Sequence, residues 1–419
     1  MKLDIRRAHV PIEGLDLSQS FALSLETFFE AQKSITPHLR QLLQQLNHSD
    51  NPVTCLVSDV CMTTPTQHLA DAFSLPRIVF FPSSQSSQLL WQHLITDPTL
   101  TTKRALEVVA RQAAAEADEV FAEGLEGLPT FIRAADLPNF RHVVDDNVYV
   151  FEFMEREMLQ CFHKAHSVVV NSFDALEGPA FKALSARVKI PIYGVGPLVE
   201  PLEEHSTTSL WKEDQTCMLW LDKQPPLSVL YISFGSVTLL SPSQFEEIVH
   251  GLLSSQQRFL WVLRPDLVET TGHESGKRTL DLLAQSQGQG CIVDWVPQLR
   301  VLGHSSIGGF LTHCGWNSTT EAISNGVPML CWPYFADQHL DAKFIVEEWR
   351  AGLRFNMNNE RGVIERSEIE RVIKKVMEGE DGKILRENAR KLKEASTRAL
   401  SPQGTSYMNI QALLNSLDV

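Results

Sequence analysis

Residues Trp295 to Gln338 read WVPQLRVLGHSSIGGFLTHCGWNSTTEAISNGVPMLCWPYFADQ. Within this stretch GGFLTH has the apolar character of a strand, Cys314 and Gly315 form a tight turn, and WNSTTEAISNG reads as a helix. A strand that runs through a short turn into a helix is the repeating unit of an α/β fold. The helix starts with amides at Trp316, Asn317 and Ser318 that have no acceptor within the helix, which makes a ready anion site without a lysine. His313 closes the strand beside that turn, and its ring can donate to a phosphate oxygen. Glu321 falls four residues after Asn317, on the same face one turn on, where a carboxylate can grip a vicinal diol. Taken singly, each residue has a plain structural reading: Trp295 as a core aromatic, Ser318 as a helix cap, Glu321 as a solvated charge, Asp337 as an acidic group on a helix starting near Ala336. Their grouping in one stretch is what makes a ligand site.

The same alternation extends outward in both directions. Val229 to Phe234, Phe259 to Leu263, Cys291 to Val293, Gly309 to Thr312 and Met329 to Cys331 read as strands, each followed by helix or loop. Upstream, Leu198 to Thr208 is polar, lacks apolar periodicity and serves as the linker, ahead of a helix-like Asp214 to Asp222. In the first half Val53 to Ser58, Arg77 to Phe81 and Ser167 to Val170 read as strands. An amphipathic helix covers Phe21 to Leu46 with an interruption at Pro37, and a second helical block covers Lys103 to Glu123. Two α/β domains facing each other across a cleft result, with residues 1–200 and 209–402 as their extents.

Lys plus Arg number 37 against 51 Asp plus Glu, a formal net charge of −14. That balance, with no basic block, argues against a nucleic-acid partner. The 7 cysteines are scattered, without a CxxC pair, so neither a zinc site nor a disulfide framework is expected. No apolar run approaches the ~18 to 20 residues of a membrane helix, and the N-terminus lacks signal-peptide order, so a soluble cytoplasmic protein without membrane insertion is expected. Phosphate loops of the usual kinds are absent. Gly272 to Lys277, GHESGK, has three residues between its glycines instead of four and lacks the following Ser or Thr, and no GxGxxG follows a strand.

The stretch from Trp295 to Gln338 resembles the nucleotide-sugar box of plant family 1 UDP-glycosyltransferases from its first Trp to its closing Gln. VTCLVSDVCM around Asp59, NSFDALE after Val170, YGVGPL at Tyr193, SVLYISFGSV at Ser228 and FLWVLRPD at Phe259 resemble family segments too. The resemblance implies the GT-B fold, two Rossmann-like domains with the donor held mainly by the second, and residues 403–419 as a helix packing back on the first. It implies that Trp295 stacks on uracil, that the Val296 backbone pairs with the uracil edge, and that Gln298 and Glu321 hold the ribose. His313, Asn317, Ser318 and Ser236 would bind the diphosphate, and Trp316, Asp337 and Gln338 would face the sugar. Gln338 points to glucose, so UDP-glucose is the expected cosubstrate, with no resident cofactor and no metal. Asp59 would orient the histidine that takes the acceptor's proton, and Ser83 would touch the donor sugar. The implied activity is an inverting transfer of glucose to a hydroxyl of a small lipophilic acceptor by a monomer. The rival is a nucleotide-sugar or metabolite binding protein without transfer.

The sequence departs from the family at its start. No PxxxGH-like run precedes Asp59, and Asp4 to Asp16 already resembles the third strand region, so about 60 residues, two βα units of ~30 each, are expected to be missing. His9 is a poor substitute for the base. Slow transfer and an unpaired edge on the N-terminal sheet are the corresponding expectations.

Overall fold

A computed structural model describes residues 25–48, 51–96, 125–138, 157, 162–199, 213–264, 267–268, 283, 289–356 and 362–417. The block Lys103 to Glu123, the region Asp4 to Asp16 and most of the segment Leu198 to Thr208 lie outside them.

Two parallel sheets form the frame. The first has strands β1 (Leu56–Asp59), β2 (Arg77–Phe81), β3 (Ser167–Val170) and β4 (Ile192–Gly194) in that spatial order. The second has β5 (Val229–Ser233), β6 (Arg258–Val262), β7 (Gly290–Val293), β8 (Ile307–Thr312), β9 (Met329–Cys331) and β10 (Gly352–Arg354) in the order β10-β9-β8-β5-β6-β7. Counted from its own first strand, this is the 3-2-1-4-5-6 order of a dinucleotide-type fold. Strands such as VLYIS and IGGFLT are buried at every position, as expected where helices cover both faces.

The strands expected from sequence are present, three of them (Arg77–Phe81, Ser167–Val170 and Met329–Cys331) with the expected ends and the others displaced by at most three residues. Val53 to Ser58 becomes Leu56–Asp59, and Gly309 to Thr312 extends back to Ile307. The helix Leu25–Asn47 is not interrupted at Pro37 but runs through it and packs on the helix Thr63–Phe73. Proline's fixed φ is itself helical, so a residue held by tertiary packing can lose one hydrogen bond without ending the helix. The helix after Pro333 also starts later than expected, at Gln338, because Ala336 adopts the left-handed region at φ 53°.

Apolar clusters lie on both sides of the second sheet. On the first sheet, one cluster takes in Leu340 and Phe344 from the helix Gln338–Lys343 and its extension, so the second domain inserts apolar side chains into the first. The helix Thr405–Ser416 lies against the other face. Its Ile410 and Leu413 pack with Ile78, Val169 and Val195, the Ser406 hydroxyl donates to the Gly196 carbonyl at 2.5 Å, and Asn409 Nδ2 donates to the Gly194 carbonyl at 2.9 Å.

Candidate active site

In a doubly wound sheet, ligands bind where adjacent strands send their connections to opposite faces. Here that point lies between β5 and β8, whose carboxyl ends are Ser233 and Thr312. The loop after β5 carries Gly235 and Ser236, and the turn after β8 carries His313, Cys314 and Gly315. The His313 imidazole sits between Gly235 and Gly315, where a Cβ on either would run into the ring. Gly235 also needs the positive φ of 71°. Arg264, buried just after β6, donates from Nη1 to the Gly235 carbonyl and from Nη2 to the Thr238 carbonyl at 3.0 Å, pinning the loop that carries Ser236. Burial, and then the Arg264 charge, push the His313 pKa down to about 4. The ring is therefore neutral near pH 7 and keeps one N–H donor.

The helix Trp316–Asn325 begins at Gly315, which has no side chain to cap it. Its first internal bond is Thr319 N–H to the Gly315 carbonyl, 2.9 Å, so the amides of Trp316, Asn317 and Ser318 precede the ladder and face the turn. On the same helix Ser318 and Glu321 meet Gln298, whose Nε2 donates to Ser318 Oγ at 2.9 Å and to Glu321 Oε2 at 2.8 Å. Tyr231 completes the group by donating its hydroxyl to Gln298 Oε1 at 3.0 Å. Burial raises the Glu321 carboxyl above its ordinary range, against the lowering effect of the Gln298 bond. Trp295 is half-buried and its carbonyl accepts from Asp214 N–H at 2.9 Å, while Val296 is buried.

Across the cleft, Asp59 ends β1 and Ser83 follows β2. The bond the Asp59 carboxylate makes is to Cys61 N–H at 2.8 Å, the turn-capping arrangement, and burial raises its pKa. Ser83 lies beside Asp337, whose carboxyl burial also raises. Gln338 turns its Oε1 back to accept from Tyr334 N–H at 2.9 Å and Phe335 N–H at 3.1 Å. The Trp316 side chain departs from its expected place at the sugar. Its indole is buried, and Nε1 donates to the Asn171 carbonyl of the first domain at 2.7 Å, so what Trp316 presents to the turn is its backbone amide.

The fold thus brings Ser236, His313, Asn317 and Ser318 around one turn, Gln298 and Glu321 into direct contact, and Ser83 to Asp337. Tyr231 and Arg264 escaped the sequence reading. A tyrosine inside an apolar strand looks like core, and indeed stacks on Phe310 at 4.8 Å. The arginine ending FLWVLR carried the better signal, a charge immediately after a fully apolar strand. Among the described residues, no His, Cys, Asp or Glu cluster could hold a metal, and no helix is long and apolar enough to cross a membrane.

An uncapped helix start, a buried carboxylate held by Gln298 and a half-buried tryptophan gather at the switch point of one of two Rossmann-like domains, the arrangement of the GT-B fold class. The family model described as UDP-glucoronosyl and UDP-glucosyl transferase matches residues 206–397. The chain is 34% identical to UDP-glycosyltransferase 85A1 of Arabidopsis thaliana over 97% of its own length and 82% of that protein's. It is 35% identical to 7-deoxyloganetin glucosyltransferase of Catharanthus roseus, covering 92% of this chain and 80% of the other. It also superposes on a Polygonum tinctorium UDP-glucosyltransferase capable of glucosylating indoxyl, with a TM-score of 0.77, 30% identity, and coverage of 98% of this chain and 86% of that one. The chain belongs to the plant family 1 UDP-glycosyltransferases.

Proposed function

We propose that this chain binds UDP-glucose in its second domain and transfers the glucose, with inversion, to a hydroxyl of a small lipophilic acceptor. The observation that carries the reading is the joined pair of sites at the switch point: the His313–Ser318 turn for the diphosphate and the Gln298–Glu321 contact for the ribose. Trp295 supplies the flat face for uracil and Val296 the backbone edge. Neutral His313, the Ser236 loop and the amides of the helix start donate to the diphosphate, and the helix dipole offsets its charge. Asp337 and the NH2 end of Gln338 meet the sugar hydroxyls, with Ser83 closing from the other domain.

In the reaction an acceptor oxygen attacks the anomeric carbon. A C–O bond to the acceptor forms as the bond from that carbon to the UDP phosphate breaks, UDP leaves, and the acceptor's proton passes to a base. Asp59, at the cleft end of β1, is the group placed to orient a histidine for that step. The acceptors for which these relatives are named, 7-deoxyloganetin and indoxyl, support a small lipophilic alcohol or phenol as substrate.

Calorimetry with UDP and UDP-glucose tests the donor half, and mass-spectrometric detection of glucosides from a panel of phenols and alcohols tests transfer. Binding of UDP with a preference for UDP-glucose over UDP-galactose is expected. Absence of heat at millimolar UDP overturns the donor assignment.

A further inference from the structure

The junction between the domains contains a Ser84–Asp341 pairing that the donor contacts do not use. Ser84 follows Ser83 in the chain after β2, and Asp341 lies one helical turn after Asp337, beside which Ser83 sits. Asp341 N–H donates to the Asp337 carbonyl at 2.9 Å, so the two carboxyls are displayed from the same turn. The Ser84 hydroxyl donates to Asp341 Oδ1 at 2.9 Å while its oxygen accepts from Ser87 N–H at 3.2 Å. That second bond ties it to the first turn of the helix Gln85–Thr96. The start of this helix is itself held by Glu177, which accepts from Gln85 N–H at 2.9 Å, Ser86 N–H at 2.8 Å and the Ser172 hydroxyl at 2.6 Å. On the other side, Leu340 and Phe344 anchor the Asp341 segment in the first domain's core.

We propose that Ser84 and Asp341 are a positioning pair that holds the two domains together at the sugar end of the cleft and thereby sets the grip of Asp337 on the donor sugar. The pair acts with Asp341 uncharged. Asp341 is 1% exposed, and among the described residues Ser84 is its one hydrogen-bond donor and its Oδ2 has no partner. A buried carboxylate so poorly supplied with donors is far more expensive than the uncharged acid. The titratable groups acting on it are Asp337 on its own segment, Glu177 on the helix Asp174–Arg187 and Cys314 on the turn after β8, and all of them favour the proton. Burial raises the Glu177 carboxyl too, but its three donors oppose the shift and make it the better-supplied acid of the junction. Since the folded-state pKa of Asp341 lies above its ordinary value, the closed junction is intact at low pH and is lost as pH rises through that folded-state pKa.

The proposal rests on the reading that Asp337 faces the sugar, and the test separates the two. Affinities for UDP and for UDP-glucose are measured by calorimetry across pH 5.5 to 9 for the parent, Ser84→Ala, Asp341→Ala and Asp341→Asn, with thermal unfolding as a check on folding. Ser84→Ala and Asp341→Ala should lower the affinity for UDP-glucose about three- to tenfold, the size of one lost hydrogen bond, and leave that for UDP unchanged. Asp341→Asn, which keeps the acceptor for Ser84 without a charge, should restore the UDP-glucose preference and remove its decline at high pH. An Asp341→Asn as weak as Asp341→Ala overturns the proposal, as does an unchanged ratio of the two affinities in Ser84→Ala. Should Asp341→Ala fail to fold, Ser84→Ala, altered on the opposite domain, still decides. A parent that binds no UDP fails the donor-site reading instead.

Discussion

In the six-stranded sheet the first strand, β5, lies at the centre between β6 and β8 and is buried at every residue. In the four-stranded sheet β1 pairs only with β2 among the described residues, and its Val57 is 59% exposed. Both sheets are made of the same parallel unit, and among the described residues the switch point of the second lies inside its layer. The turn after β8 and the loop after β5 consequently stand on strands paired on both sides, while among the described residues β1, which Asp59 ends, pairs with β2. Strands paired on both sides are the better braced against local opening.

Trp261→Ala bears hardest on this contrast. The indole, fully buried between Phe234 and Phe245, should cost about 3 to 5 kcal/mol when removed, read as a shift in the urea unfolding midpoint. A loss under about 1 kcal/mol would remove the second sheet from its place as the better-braced half. Next come the donor contacts: Trp295→Ala and Glu321→Ala should each weaken UDP binding by about 1 to 3 kcal/mol in calorimetry. Gly315→Ala, which places a methyl against the His313 ring, should weaken it by a similar ~1 to 3 kcal/mol through overpacking. Unchanged affinity in all three would place the nucleotide elsewhere.

His313 sharpens the contrast through pH. Its folded-state pKa of about 4 lies below the ordinary 6.5, so its contribution to stability is present above 6.5 and is lost as pH falls toward 4. An NMR titration should find this ring neutral from pH 6 to 8, and a midpoint near 6.5 would contradict its clamped position. The smallest effect belongs to the edge: Val57→Thr should change stability by no more than about 0.5 kcal/mol. A large loss there would mean that β1 is covered after all.

Much of this was legible in the residues. Apolar runs located the strands, and HCGWNS announced a helix start with free amides because strand, glycine turn and uncapped helix follow one another along the chain. Local order of that kind is written in sequence. Contacts between distant segments are not: Tyr231 joins Gln298 across a sheet, and Arg264 supports Gly235 from a neighbouring strand. Trp316 shows the limit most clearly. Its position at the helix start was foreseeable, but the direction of its indole depends on Asn171, a residue of the other domain.

The α/β class, the two-domain plan and the strand–turn–helix order around His313 were written in the sequence, since each depends on periodicity or on spacing within a few tens of residues. Tertiary structure alone decided that Pro37 lies inside a continuous helix and that Gln338 turns its carbonyl to Tyr334 and Phe335. It alone decided that Ser84 meets Asp341. Burial and hydrogen-bond supply are properties of what surrounds a residue in space, and for Asp341 those surroundings come from segments more than a hundred residues away in the chain, Ser84 and Glu177 among them.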